Sequence, residues 1–202
     1  MDEARQVRDF WFGKLPLTAE AVDERVELWF GNKGREAVDE TIRTRFGGLA
    51  GRAATGSLDG WADSPRRCLS LILLLDQFPR NIHRGTERAF ACDAKALALT
   101  LSGIQSAADA ALDIVERIFF YMPLQHSEAR EVQDESVAAF RRLAREAPGP
   151  LRGLFEESLR SAERHREIIE RFGRFPHRNE ALGRASTPAE DLWLKSHGRM
   201  GQ

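Results

Sequence analysis

Between Cys68 and Leu75 the only polar side chain is Ser70, and the run then stops on a carboxylate: Leu71-Ile72-Leu73-Leu74-Leu75-Asp76-Gln77-Phe78-Pro79-Arg80-Asn81-Ile82-His83-Arg84-Gly85. A segment without a polar face has to be buried nearly all round, so the rest of the chain must supply its shell. Leucine dominates over valine and isoleucine, which favours helix over strand. Ser64-Pro65 marks the start, because serine can accept a hydrogen bond from a first-turn N–H and proline is tolerated at the first helical position. Pro79 disfavours helical angles at Phe78, so the helix is expected to end near Gln77.

Asp76 breaks the local rules. A carboxylate in a last helical turn faces the negative end of the helix dipole, and beside a buried run an unpaired charge is expensive. It therefore needs a cation, and Arg80 and Arg84 are the nearest in sequence. Such a position marks either a functional site or a buried strut that staples the Phe-Pro turn.

The chain in order gives helices and no convincing strand alternation. Residues 2–12 form a short helix with Val7, Phe10 and Trp11 on one side, ended by Gly13 and Pro16. Thr18 opens a second helix through Phe30, with Val22, Val26 and Trp29 at helical spacing. A third runs from Arg35 to about Ala54, where the Gly47-Gly48 pair either admits another helix or weakens this one. The buried helix follows. Thr86 opens the next, to about Leu101 with Gly103 closing it, and Ala108 to Tyr121 forms another, stopped by Pro123. Ser127 caps a helix to about Glu146, Leu151 to Phe172 is long and amphipathic, and Gly173 is a natural C-terminal cap. Thr187-Pro188-Ala189-Glu190 is a capping box that opens a last helix. The expected architecture is all-α, one domain over 1–202, of about eight helices in antiparallel pairs. The aromatic residues Phe10, Trp11, Phe12, Trp29 and Phe30 are expected in its core.

With 202 residues, 42% of them hydrophobic, the chain can bury one sizeable core. A net charge of −1 provides no global field for nucleic acid or anionic membrane, and the basic stretch near His177 is small and surrounded by glutamates. No apolar run reaches the ~18 residues that span a bilayer. Cys68 and Cys92 sit in apolar patterns outside any C-x-x-C, and the N-terminus lacks a signal-peptide core, so a cytoplasmic location is expected.

Three stretches carry a resemblance: Leu-Leu-Leu-Asp-Gln-Phe-Pro-Arg-Asn-Ile from Leu73, Phe-Phe-Tyr-Met-Pro-Leu-Gln-His-Ser-Glu from Phe119, and Ile-Ile-Glu-Arg-Phe-Gly-Arg-Phe-Pro-His-Arg-Asn from Ile168. In this order they resemble the bacterial family catalogued as domain of unknown function 924, over about residues 7–198. The resemblance implies a helical, tetratricopeptide-like fold and no established reaction. Gln125 stands where the family more often has glutamate, which weakens an acid or metal role there. The first and third stretches also echo each other, Phe-Pro-Arg-Asn at 78–81 and Phe-Pro-His-Arg-Asn at 175–179.

All three stretches lie at helix ends, which in paired-helix folds share a rim. The candidate site is therefore Asp76, Gln77, Arg80, Asn81 and Arg84; Tyr121, His126 and Glu128; and His165, Arg174, His177, Arg178 and Asn179. The leading expectation is a pocket for a small anion or peptide, since arginine offers a planar fork for carboxylate or phosphate. Asp76 would orient arginines, Arg80 and Arg178 would meet the anion, and His126 or Tyr121 would add directional hydrogen bonds. The alternative is a metal-free hydrolase or lyase with His126 or His177 as base. His126 is expected to be neutral because it precedes a helix N-terminus. A third reading is an interaction module without a ligand. No H-E-x-x-H, G-x-S-x-G or phosphate-loop motif is present, so no metal and no cofactor is assigned.

Overall fold

The computed structural model describes residues 2–197, and among them the chain is all-α, with no strand. The first three helices, α1 (Glu3–Phe12), α2 (Ala19–Phe30) and α3 (Arg35–Ala54), begin and end where the punctuation predicts. Asp2 caps α1 by accepting from the Ala4 N–H at 3.2 Å, and Gly13 ends it at φ 68°, where a side chain would be strained.

The leucine run forms α4 (Pro65–Ile72), but the helix does not stop at Gln77. It passes through a π-helical turn (Leu73–Gln77) into α5 (Phe78–Ile82). Proline lacks an N–H and its ring crowds the carbonyl four residues back. The wider turn relieves that conflict: the Phe78 N–H reaches the Leu73 carbonyl, five residues back. Arg80 then folds back and donates through Nη1 to the Asp76 carbonyl at 2.6 Å. Leu69, Leu71 to Leu75 and Phe78 have no exposed surface. α1, α6 (Asp93–Gln105) and α7 (Ile114–His126) pack against α4, and α3 packs against α5. Phe10, Trp11, Phe46, Phe78 and Phe119 interlock there, with Phe46 and Phe78 centroids 5.2 Å apart.

Proline also fails as a stop in α7, which runs three residues beyond Pro123 to His126. Its true start is the capping box of Asp113 and Glu116, after a separate 3-10 turn at Ala108–Ala111. Likewise Thr86 opens only a 3-10 turn (Glu87–Ala89) before α6. Gly103 lies inside α6, where it makes room for the Phe120 ring: a Cβ there would sit 2.4 Å from Phe120 Cζ. Gly47 and Gly48 meet nothing within 4 Å, so they admit no neighbouring helix.

The remaining helices are α8 (Arg130–Glu146), α9 (Arg152–Phe172) and α10 (Pro188–His197). α6 to α9 pack each against the next through short turns, as antiparallel neighbours do. Thr187 and Glu190 form the expected capping box of α10, and Gly173 caps α9 with φ 69°. Ile168, Ile169, Phe175 and Trp193 make a small second cluster beside the main core. No helix among the described residues is long and apolar enough to cross a membrane.

Candidate functional site

The segment after Leu75 supplies the floor of a cleft. Asp76 is wholly buried beneath it, and its carboxylate accepts from Gln77 Nε2 at 2.5 Å and from His126 Nδ1 at 2.7 Å. Arg80 Nη1 lies 3.1 Å from the same carboxylate. Burial alone would raise the Asp76 pKa, but Arg80 and the donors on His126 and Gln77 outweigh it and hold the carboxyl well below the usual range. The cation expected beside Asp76 is thus Arg80. Arg84 instead turns to α3, where Nε and Nη2 grip Asp39 at 3.0 and 2.9 Å and Asn81 donates to the same carboxylate at 2.8 Å.

The hub of the site is a residue that no motif marked. Asp93, at the start of α6, accepts both forks of Arg80 at 3.0 Å and Arg178 Nη1 at 3.3 Å. Both arginines also lie over the Phe90 ring, at 5.6 and 4.8 Å. The two Phe-Pro echoes therefore meet in space, each delivering its arginine to one carboxylate and one ring. Nothing in the local sequence of Asp93 announces this, because its partners are 13 and 85 residues away.

Arg80 and Arg178 differ in how well they are satisfied. Arg80 spends its guanidinium on Asp76 and Asp93. Arg178 is 6% exposed, holds one 3.3 Å contact to Asp93, and has a buried Nε without a hydrogen-bond partner. Its other support is aromatic: it lies between Phe90 and Phe175, 4.8 and 4.6 Å from the ring centroids. Burial and the nearby Arg80 lower its pKa to about 10.

Three imidazoles complete the floor. His126 donates through Nδ1 to Asp76, so Nε2 keeps its lone pair. His165 donates through Nδ1 to the Ser161 carbonyl at 2.8 Å. His177 has a buried Nδ1 without a partner. Burial first, then the arginine charges, lowers His126 and His165 to about 4 and His177 to about 3, so all are neutral at pH 7. The expected neutrality of His126 holds, but its cause differs. His126 is the last residue of α7, where the dipole favours a cation. Burial and Arg80 override that preference.

The cleft has a volume of about 1080 Å³. Gln77, Arg80, Asn81, Arg84, His126, His165, His177 and Arg178 line it. Gln125 lines it too and accepts from Ser161 Oγ at 3.3 Å. Four expected residues lie elsewhere. Tyr121 is buried in the core against Phe120 and Phe140, its hydroxyl donating to Asp109. Glu128 holds Arg184 and the Phe175 N–H, so it props the turn that carries His177 and Arg178. Arg174 pairs with Glu190, and Asn179 donates to Ser186 Oγ at 3.1 Å. Sequence spacing placed these residues at the same helix ends but could not tell which way each side chain turns. No group of three or more His, Cys, Asp or Glu among the described residues is arranged to hold a metal ion.

The walls are two helix faces. Val22, Asp23, Val26, Glu27 and Phe30 come from one face of α2; Leu154, Glu157, Ser158, Ser161, Arg164 and His165 come from one face of α9. The expected core stripe of α2 is therefore only partly buried. Trp29 is buried and donates to the Trp11 carbonyl at 2.9 Å, whereas Phe30 is 49% exposed.

Comparison with known proteins places this geometry. A solved structure of ATU0120 from Agrobacterium tumefaciens, a protein of unknown function, is similar over 96% of this chain and 97% of that one, with 37% identity and a TM-score of 0.78. No curated protein matches. The family model described as a bacterial protein of unknown function, DUF924, matches residues 7–198. On that match, which spans the buried helix, the floor and both walls of the cleft, the chain belongs to the DUF924 family.

Proposed function

We propose that the cleft binds a small anionic molecule, with Arg178 as the anchoring cation. The observation that carries this is the contrast between the two arginines on Asp93. Arg80 is held bidentately by Asp93 and also donates to the Asp76 carbonyl, whereas Arg178 is almost buried with one long ion pair and an unbonded Nε. A carboxylate or phosphate oxygen beside Arg178 would supply the acceptor that its guanidinium lacks. The neutral imidazoles add hydrogen-bonding groups without adding competing charge. Arg80 and Asp76 then act as the frame that fixes the floor.

The test is calorimetric titration with inorganic phosphate, hexanoate and a panel of sugar phosphates and dicarboxylates. Arg178→Gln is expected to abolish binding of whichever anion binds wild type, and Arg117→Gln, which alters an ion pair with Glu146 outside the cleft, to leave it within about twofold. Equal binding by wild type and Arg178→Gln, both folded by circular dichroism, would remove the reading.

The Asp76–His126 pair favours a second reading, in which the same cleft is a metal-free acid–base site. A buried carboxylate fixes the tautomer, and a neutral imidazole near pH 7 can accept a proton through Nε2. Exchange of an α-proton of a bound carboxylate in D2O, followed by proton NMR and lost in His126→Gln, would support it. No exchange across the panel would remove it.

A further inference from the structure

The cleft is far larger than a bare anion, and its walls change character along their length. On α9 the lining residues run from Leu154 through Ser158 and Ser161 to His165 at the floor. At about 1.5 Å per residue, that step covers about 16 Å. Facing it, Val22 and Val26 of α2 are only half-buried, and Phe30 is 49% exposed. One exposed and several partly exposed apolar groups on one side of a cleft, with cations at its base, form a head-and-tail surface. Above the floor the lining carries charge of both signs, Asp23, Glu27 and Glu157 with Arg35 and Arg164, and Arg164 holds Glu157 at 2.8 Å.

We infer that the occupant is a monocarboxylate with an extended apolar chain, its head at Arg178 and its tail between α2 and the first turns of α9; this rests on the anion reading above. The chain covers Val22, Val26, Phe30 and Leu154, which the fold otherwise leaves half in solvent. The carboxylate accepts from Arg178.

Calorimetric titration with hexanoate, octanoate, decanoate and decanol, with inorganic phosphate as the tailless anion, tests this. Binding is expected at one site per chain. Affinity should rise about three- to fourfold with each added methylene, and decanol should bind at least about tenfold more weakly than decanoate. Val26→Ser with Phe30→Ser, with folding checked by circular dichroism, should flatten the chain-length series and leave phosphate binding within about twofold. If hexanoate and phosphate bind through Arg178 but decanoate binds no tighter, the tail assignment is overturned and the anion site stands. If decanol matches decanoate and Arg178→Gln alters neither, both readings fall. Decanoate binding that ignores the Val26 and Phe30 changes overturns the α2 placement, and no binding by any probe overturns the proposal outright.

Discussion

Asp76→Asn isolates the charge at the centre of the floor. The amide keeps the volume of the carboxylate, so no cavity term enters. It removes the negative charge facing Arg80 and turns an acceptor into a donor between His126 Nδ1–H and Gln77 Nε2–H. Breaking a buried ion pair on one side costs about 3–5 kcal/mol. Arg80 keeps its bidentate contact to Asp93, which places the cost near the lower end, about 3 kcal/mol. For a chain of this size that corresponds to a fall in Tm of roughly 6–12 °C. Urea unfolding and calorimetry of both proteins at pH 7 and pH 5 measure it. The folded Asp76 carboxyl titrates well below its unfolded value, so its contribution is complete above pH of about 4 and is lost as pH falls through the lower folded value. The penalty should therefore be equal at pH 7 and 5. A penalty under about 0.5 kcal/mol, or a coupling to His126→Gln under about 0.5 kcal/mol in a double-mutant cycle, would refute the buried network.

Acid should unfold the protein early, by the same proton linkage acting at higher pH. His126, His165 and His177 titrate far below the ordinary imidazole value when folded, so the unfolded chain binds more protons between about pH 6.5 and 4 and stability falls across that window. Replacing His177 by Gln should reduce the slope of stability against pH by about one proton; an unchanged slope would mean His177 titrates normally. Two glycine substitutions should have opposite signs. Gly103→Ala places a Cβ against Phe120 and should cost about 1–3 kcal/mol, whereas Gly47→Ala meets open space inside α3 and should stabilise by about 0.5–1 kcal/mol, both read from urea midpoints. Glu128→Gln should loosen the turn before His177 and weaken anion binding several-fold without touching the anion, because Arg184 and the Phe175 N–H lose a charged acceptor.

The helices were legible because their signals are local. A leucine run without a polar face has to be buried, Pro65 opens α4 at its first position although the Ser64 side chain makes no cap bond, Thr187 and Glu190 open α10 as a capping box, and Gly173 ends α9 through its φ angle. Two of the misplaced ends were at Pro79 and Pro123. There a proline removes one hydrogen bond, but packing on both sides of the buried helices, and at Pro79 a widened turn, keep the chain helical. The candidate site was legible as a set of residue types at helix ends, including Asp76, His126 and the two Phe-Pro arginines. Its wiring was not, since Asp93, Asp39 and Glu128 each recruit partners from distant parts of the chain. By itself, then, the amino-acid sequence determined the helices, the buried run and the stranded carboxylate, all consequences of chemistry within a few residues. The tertiary structure alone decided which arginine is held bidentately by Asp93 and which keeps an unbonded Nε, because that depends on distances between side chains up to 85 residues apart.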